Sequence, residues 1–372
     1  MSTTEFLSRR IFLERMLLVG TGALVPIVGW PAEGSGRKKF RRSDVSGFAR
    51  RLKPLNRILE LEGYYVWGTS PIYGPDGRIH VYFSRWEARK GMGGWINGSE
   101  IAHAVADRPG DPYRDIQTIL APRGGEWFDA TTCHNPHIQC VDGTYYLFYI
   151  GSSNGRTHTK RIGVATAPSP DGPWTRPDRP LLEAGSEGAW DDHCTSNPAY
   201  LRHPDGRSWL YYKSWNSYEY DHYTDPAIRG NRKYGVAFAH HPAGPYAKYS
   251  GNPIIDYSGL GHNRQLEDGY LFRGNGRIYM LARDMGRFGH EEGIILESED
   301  GLHWSDPQIA WFGVSHYVKE PPGPSHLKKY GRFERPQLLI RDGEPTHLFL
   351  ASQGGKYMTS SAFVFEISPM RK

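Results

Sequence analysis

Five short phrases of the 372-residue chain open on polar or charged residues and run straight into strand-like sequence. They begin Thr69-Ser70-Pro71, His134-Asn135-Pro136, Ser196-Asn197-Pro198, Glu267-Asp268-Gly269 and Glu334-Arg335-Pro336. Aligned, their first column reads Thr69, His134, Ser196, Glu267 and Glu334, and their second Ser70, Asn135, Asn197, Asp268 and Arg335. Carboxylates, amides, an imidazole and a guanidinium are costly to bury together without partners. They form either a polar structural plug or a ligand site, and the ligand site is the expectation. Two further acids belong to the pattern. Asp129, in Trp127-Phe128-Asp129, and Asp191, in Ala189-Trp190-Asp191, each lie seven residues before the proline of the following phrase. Each either caps a turn through its own backbone or joins the site.

The elements that must position these residues are legible as a repeat. Each phrase leads through an Asp-Gly or Asn-Gly turn (Asp76-Gly77, Asp142-Gly143, Asp205-Gly206, Asn275-Gly276, Asp342-Gly343) into an aromatic-rich run such as Tyr145–Tyr149, the pattern of a β-hairpin. The phrases start 65, 62, 71 and 67 residues apart, and the first four are each followed by a second hairpin. Four strands in that length is the size of a propeller blade, so the fold class predicted is all-β, a five-bladed β-propeller with four antiparallel strands per blade over residues 56–372. The last copy shows three strands, which predicts that residues 56–66 return to supply the fourth. In a propeller the innermost strands line a central channel, and the residues at their starts converge on one mouth.

Composition agrees and removes other classes. With 44 Gly, 27 Pro, 23 Tyr and 11 Trp the chain suits short strands and tight turns, and three cysteines cannot make a disulfide framework. Three buried free thiols are expected. The formal charge of +5 invites a nucleic-acid reading. Residues 37–53, however, carry eight Lys/Arg and one Asp, a net of +7, so the remaining chain is slightly acidic and nucleic acid drops out as a partner. Ser8-Arg9-Arg10-Ile11-Phe12-Leu13 precedes the short apolar run Met16–Trp30, which resembles a twin-arginine export signal. The predicted organisation is a signal segment 1–33, a basic linker 34–55 and the propeller 56–372, periplasmic or secreted and exported folded. A retained signal anchor would be the only membrane contact, and a monomer is expected.

With these phrases in view, residues 56–372 resemble the five-bladed propeller glycosidases around glycoside hydrolase family 43. The resemblance implies a glycosidase working through paired carboxylates. One carboxylic acid protonates the leaving oxygen while a carboxylate on the other face of the sugar activates water or attacks carbon. In that family the fourth blade opens on Glu-Gly-Pro and its Glu is the acid, which implies Glu267 as proton donor, although Asp268-Gly269 replaces Gly-Pro. The family's first-blade Asp, its base, falls on Ser70, and its third-blade Asp on Asn197. Asp129, Asp191 and Glu334 are therefore the carboxylates open to take over as base or nucleophile. Relatives of this kind mostly invert.

The binding set expected around them is Trp67, His134, Asn135, Asn197, Lys213, Asp268 and Arg335, with Trp86, Trp95 and Trp215 as further sugar-stacking faces. Arg335, Arg85 and Lys213 would pair with the acids or hold a substrate carboxylate or sulfate. No cofactor is required and no metal-ligand spacing is evident. By resemblance a Ca²⁺ in the central channel is an option, with His134, His137 and His193 near it. Ser298-Glu299-Asp300-Gly301-Leu302-His303-Trp304 looks like the outer turn of sialidase propellers, which stabilises a hairpin and carries no chemistry. The function expected is an exported hydrolase of a plant or algal polysaccharide or its oligosaccharides. A carbohydrate-binding propeller without activity, and a phosphorylase or transferase on the same scaffold, are the competing readings.

Overall fold

The computed structural model describes residues 40–225, 228–260, 265–319 and 331–369, so the expected signal segment lies outside the described residues. Strand β1 (Leu52–Ile58) precedes a first unit of β2 (Tyr64–Tyr73), β3 (Ile79–Glu87), β4 (Glu100–Ala106) and β5 (Arg114–Leu120). The second unit holds β6 (Thr132–Val141), β7 (Thr144–Ser152) and β8 (Lys160–Ala167). The third holds β9 (Ser196–Arg202), β10 (Ser208–Ser214), β11 (Lys233–Ala239) and the short β12 (Ala247–Lys248). A fourth runs β13 (Leu266–Gly274), β14 (Arg277–Asp284), β15 (Gly293–Ser298) and β16 (Gln308–Trp311), and the last β17 (Glu334–Arg341), β18 (Glu344–Gly354) and β19 (Thr359–Ile367). Within each unit consecutive strands pair antiparallel. The outer edge of the second unit is reduced to bridges, Thr166 to Thr175 and Ile162 to Leu182.

The chain closes as expected in kind, with a shifted register. The fourth strand of the last unit is β1, antiparallel to β19 from Leu52–Ile367 to Ile58–Ala362, and not residues 56–66; residues 64–73 are already the first inner strand. The basic linker is likewise shorter than expected. Phe48 and Leu52 insert into the core against Phe272, Phe365 and Ile367, Val45 bridges to Ile309, and the compact unit begins at Arg41. Apolar residues spaced four apart among arginines were masked by the charge of their neighbours.

Most second strands are buried along nearly their whole length, β18 being half-buried at its start, and every residue of β10 is buried. Sheets covered on both faces bury both side-chain rows, so these strands read as continuous aromatic runs instead of alternating ones. Ser298 and Asp300 make the outer turn anticipated for the fourth unit, the Asp300 carboxylate accepting from Leu302 N and His303 N at 2.8 and 2.9 Å. Cys133 and Cys194 are buried and free as expected, whereas Cys140 is exposed.

A bulge recurs at the start of every inner strand. Ladder register slips between Trp67 and Ser70, His134 and His137, Glu267 and Tyr270, and Glu334 and Gln337, and opposite Ser196 between Lys213 and Tyr211. The residue after the first member is left-handed each time: Gly68, Asn135, Asn197, Asp268 and Arg335, with φ from 50 to 62°. Gly, Asn and Asp adopt this region readily, whereas a long side chain such as Arg335 does so only when its surroundings over-determine it. The bulge corrects one alignment. Trp67-Gly68, and not Thr69-Ser70, is the first unit's counterpart of His134-Asn135.

Buried histidines make the fold sensitive to acid. Burial lowers His137, His103 and His193 from 6.5 to about 4. Below pH 6.5 the unfolded chain takes up protons that the native state refuses, so their stabilisation is whole above about pH 6.5 and is lost as pH falls towards 4. For fully buried His137 this amounts to about 3 kcal/mol, and less for the other two. Thermal unfolding followed from pH 7.5 to 4.5 should show a falling Tm over that window. A flat profile would contradict the neutral, buried assignment.

Candidate active site

The five bulges turn the first residues of the inner strands, Trp67, His134, Glu267 and Glu334 among them, into a cavity of about 240 Å³. Trp67, Trp86, Trp95 and Trp215, all anticipated as stacking faces, line it. Of the expected acids, Glu267, Asp268 and Glu334 reach it; His134, Asn135, Asn197 and Lys213 do too, while Arg335 lies buried beneath.

Asp129 and Asp191 do not. Asp129 is wholly buried, accepting from Arg123 Nε at 2.6 Å, Tyr149 Oη at 2.8 Å and Arg176 Nη1 at 3.0 Å. Asp191 accepts from Tyr212 Oη at 2.8 Å and Lys248 Nζ at 2.6 Å. The repeat made the two equivalent, and they are. Both anchor an entering loop to a second-strand tyrosine and a cation, which corrects their candidacy as base or nucleophile. Arg85 also stays outside the cavity, paired with Glu100 at 2.7 Å.

The remaining acids share one cation. Arg283 Nη1, on β14 opposite Glu267, lies 3.2 Å from Glu267 Oε2 and 2.9 Å from Glu334 Oε2. Glu267 also pairs with Lys213, directly bonded, and with Arg232 at 3.3 Å. Burial alone would raise its pKa, but Arg232, Lys213 and Arg283 together outweigh that and hold it well below the usual carboxylate range. Glu334 moves the other way: burial raises its pKa and nearby Asp268 adds to this, against Arg283 and Arg332. Lys213 is pushed down to about 8 by burial, with Glu267 opposing. Two neighbouring acids whose pKa values are pushed in opposite directions are the usual mark of an acid and its ionised partner.

Beneath them Asp268 accepts from Asn197 Nδ2 at 2.6 Å and from Arg335 N and Nη1 at 3.2 and 3.4 Å. A Cβ at Gly68 would stand 3.0 Å from Asn135 Oδ1, so a side chain there would crowd the Asn135 amide. His134 meets Trp86 edge-on and Trp95 at a tilt, bonds Ser99 Oγ at 2.9 Å, and is held neutral by burial, with Arg335 and Lys160 adding to the effect.

The channel below does not fit Ca²⁺. Ser70 Oγ donates to Gln337 Oε1 at 3.0 Å, His137 Nδ1 lies 3.1 Å from the same oxygen, and His137 Nε2 accepts from Tyr200 N at 3.2 Å. These are mutually satisfied imidazole, hydroxyl and amide groups, whereas Ca²⁺ takes about 6–8 oxygens, carboxylates among them. His193 sits apart, stacked on Trp215. Away from the cavity, His80 and His103 with Asp171 form a cluster of metal-ligand types, but His80 Nδ1 and His103 Nε2 bond each other at 2.9 Å.

Sequence reasoning missed Arg283, Arg232 and Lys160. Arg283 had only a partial signal: counting back from the Asn275-Gly276 turn sets Asp284 opposite Glu267, and the bulge in β13 moves the partner to Arg283. Arg232 and Lys160 lie at strand entries and share a repeat position, each two residues before the matching Tyr234-Gly235-Val236-Ala237 and Ile162-Gly163-Val164-Ala165, which the inner-strand phrases did not include.

The sequence profile of glycosyl hydrolases family 43 matches residues 111–228. Among solved structures, Zg3597, a family 117 glycoside hydrolase of the marine bacterium Zobellia galactanivorans, is similar with a TM-score of 0.60 at 20% identity, over 85% of this chain and 89% of that one. The GH43_1 enzyme of Xanthomonas citri gives 0.53 at 18% identity, over 85% and 91%. CoXyl43, a GH43 beta-xylosidase/alpha-arabinofuranosidase from a compost microbial metagenome, gives 0.53 at 16%, over 85% and 93%. No curated protein matches the chain. A family 43 profile thus covers the middle of the chain, and the propeller has the fold of family 43 and family 117 glycoside hydrolases.

Proposed function

We propose that the protein is an exported hydrolase that removes one or two sugar units from a plant or algal polysaccharide or its oligosaccharides, with Glu334 as proton donor and Glu267 as the carboxylate that stays ionised. The observation that carries this is the pair of buried acids on one guanidinium, one raised and one lowered in pKa, inside a cavity walled by four tryptophans. The roles are reversed from those the family resemblance implies. Three cations crowd Glu267 and keep it charged, so it is poorly suited to donate a proton.

In this reading a sugar ring stacks on the indole faces, Glu334 protonates the departing oxygen, and Glu267 stabilises the positive charge growing at the anomeric carbon. Both Oε2 atoms lie within 3.2 Å of the same nitrogen, which brings them closer than the ~6.5–9.5 Å an inverting pair leaves for water. That supports attack by Glu267 on carbon as the leaving oxygen takes the Glu334 proton, then cleavage of the glycosyl ester by a water that Glu334 deprotonates, giving retention against the inversion expected from the resemblance. A cavity of about 240 Å³ suits a short sugar unit rather than a continuous chain. Export rests on the Arg9-Arg10 motif and the apolar run that follows it. The binding-only reading loses ground because an acid pair faces the cavity. A hydrolysis screen over plant and algal glycans, with the anomer of the first product read by NMR, tests the proposal. Release of sugar with retained configuration is expected, and binding without any release would overturn it.

A further inference from the structure

Each carboxylate of the cavity already has its cations: Glu267 has Lys213, Arg232 and Arg283, Glu334 has Arg283 and Arg332, and Asp268 has Arg335. One cation is left over. Lys160, the first residue of β8, is 4% exposed and lines the cavity, and no carboxylate among the described residues lies in ion-pair range of it. Its backbone carbonyl is tied down, accepting from Thr195 N at 3.2 Å and Arg161 Nη1 at 2.8 Å. Its ammonium rests 4.4 Å from the centre of the Trp215 ring and 6.0 Å from that of Trp95. Lys213 Nζ and the Arg232 guanidinium lie 5.4 and 5.9 Å from the same Trp215 ring, so three cations surround one indole and only two of them have an acid. Cation–π contact offsets part of the desolvation of an ammonium and leaves its three N–H donors free for a ligand.

We propose that this cavity selects an anionic sugar, one carrying a carboxylate or a sulfate ester, and that Lys160 binds the anionic group. The proposal rests on the glycosidase reading of the same cavity. Lys160 belongs to the second unit and Glu334 to the fifth, which are not neighbours in the ring. Lysine acts as a point charge and does not discriminate between the two anions by geometry.

The test uses matched disaccharides of one linkage in neutral, uronate and sulfate-ester form, with the wild type, Lys160→Gln and Lys160→Arg. Affinity is measured by calorimetry and kcat/KM by product release. The wild type should prefer one or both anionic forms over the neutral one by about tenfold or more. Lys160→Gln should collapse that ratio towards one, and Lys160→Arg should retain it. The uronate and sulfate arms identify which anion is natural. Equal handling of neutral and anionic sugars by the wild type, or an unchanged ratio in Lys160→Gln, would overturn the anion site while hydrolysis itself left the glycosidase reading intact. Binding of the sugars without release would instead sink the glycosidase reading. Turnover that requires added inorganic phosphate and yields a sugar phosphate would assign Lys160 to a phosphate co-substrate and also overturn the proposal.

Discussion

Glu334→Gln should lower kcat/KM on a natural glycoside by about 10²–10⁴-fold, the range for losing a general acid. An aryl glycoside with a good leaving group needs no proton, so on that substrate the same variant should recover most of its rate. Glu267→Gln should lose activity on both substrates, because charge at the anomeric carbon develops whichever group leaves. The pH profile follows from the same assignment. Glu334 must be protonated, so activity falls as pH rises through its raised pKa, and Glu334→Gln should remove that limb from whatever activity remains. A second fall is expected near pH 8, where Lys213 loses its proton and Glu267 loses a directly bonded cation. Rescue of Glu267→Gln, and not of Glu334→Gln, by the good leaving group would restore the roles implied by the family pattern.

Asp129→Asn should do the reverse, removing stability and sparing chemistry. The substitution leaves Arg123 and Arg176, both largely buried, facing a neutral amide. Breaking a buried pair from one side costs about 3–5 kcal/mol, and partial solvation of the two arginines places the expectation near the lower bound. For a domain of this size that is a fall in Tm of at least about 5 °C. Asp191→Asn, with Lys248 and Tyr212 left behind, should follow it. In both variants kcat on the best glycoside should stay within about twofold of wild type at a temperature where the protein is folded, since neither acid reaches the cavity. A variant with unchanged Tm and abolished turnover would return these aspartates to the catalytic set.

These two results separate acids that look alike in sequence. Asp129 and Asp191 share a repeat position, and the repeat correctly made them equivalent. What it could not convey is that the loop carrying them turns inward on a tyrosine and a cation arriving from strands outside the local phrase, Arg176 for one and Lys248 for the other. Ser70 is a similar case. It aligns with Asn135 when the prolines are matched, but the bulge in β2 sits two residues earlier, so Ser70 drops into the channel beside Gln337 and Trp67 takes the rim. A bulge adds a residue without leaving a composition signal, and Gly68 is its only trace.

The pattern of phrase, turn and aromatic strand was enough to define an all-β propeller of repeated four-strand units, the convergence of Glu267, Asp268, Glu334, His134 and Asn197 on one mouth, and the tryptophans around it. Hairpin turns and strand periodicity act over a few residues, and repetition then imposes the rest. The pairing of Glu267 and Glu334 through Arg283, the opposite directions of their pKa shifts, and the ammonium of Lys160 left without an acid were decided only by the tertiary structure. Protonation depends on burial and on charges within a few ångströms, and those neighbours come from units of the ring far apart along the chain.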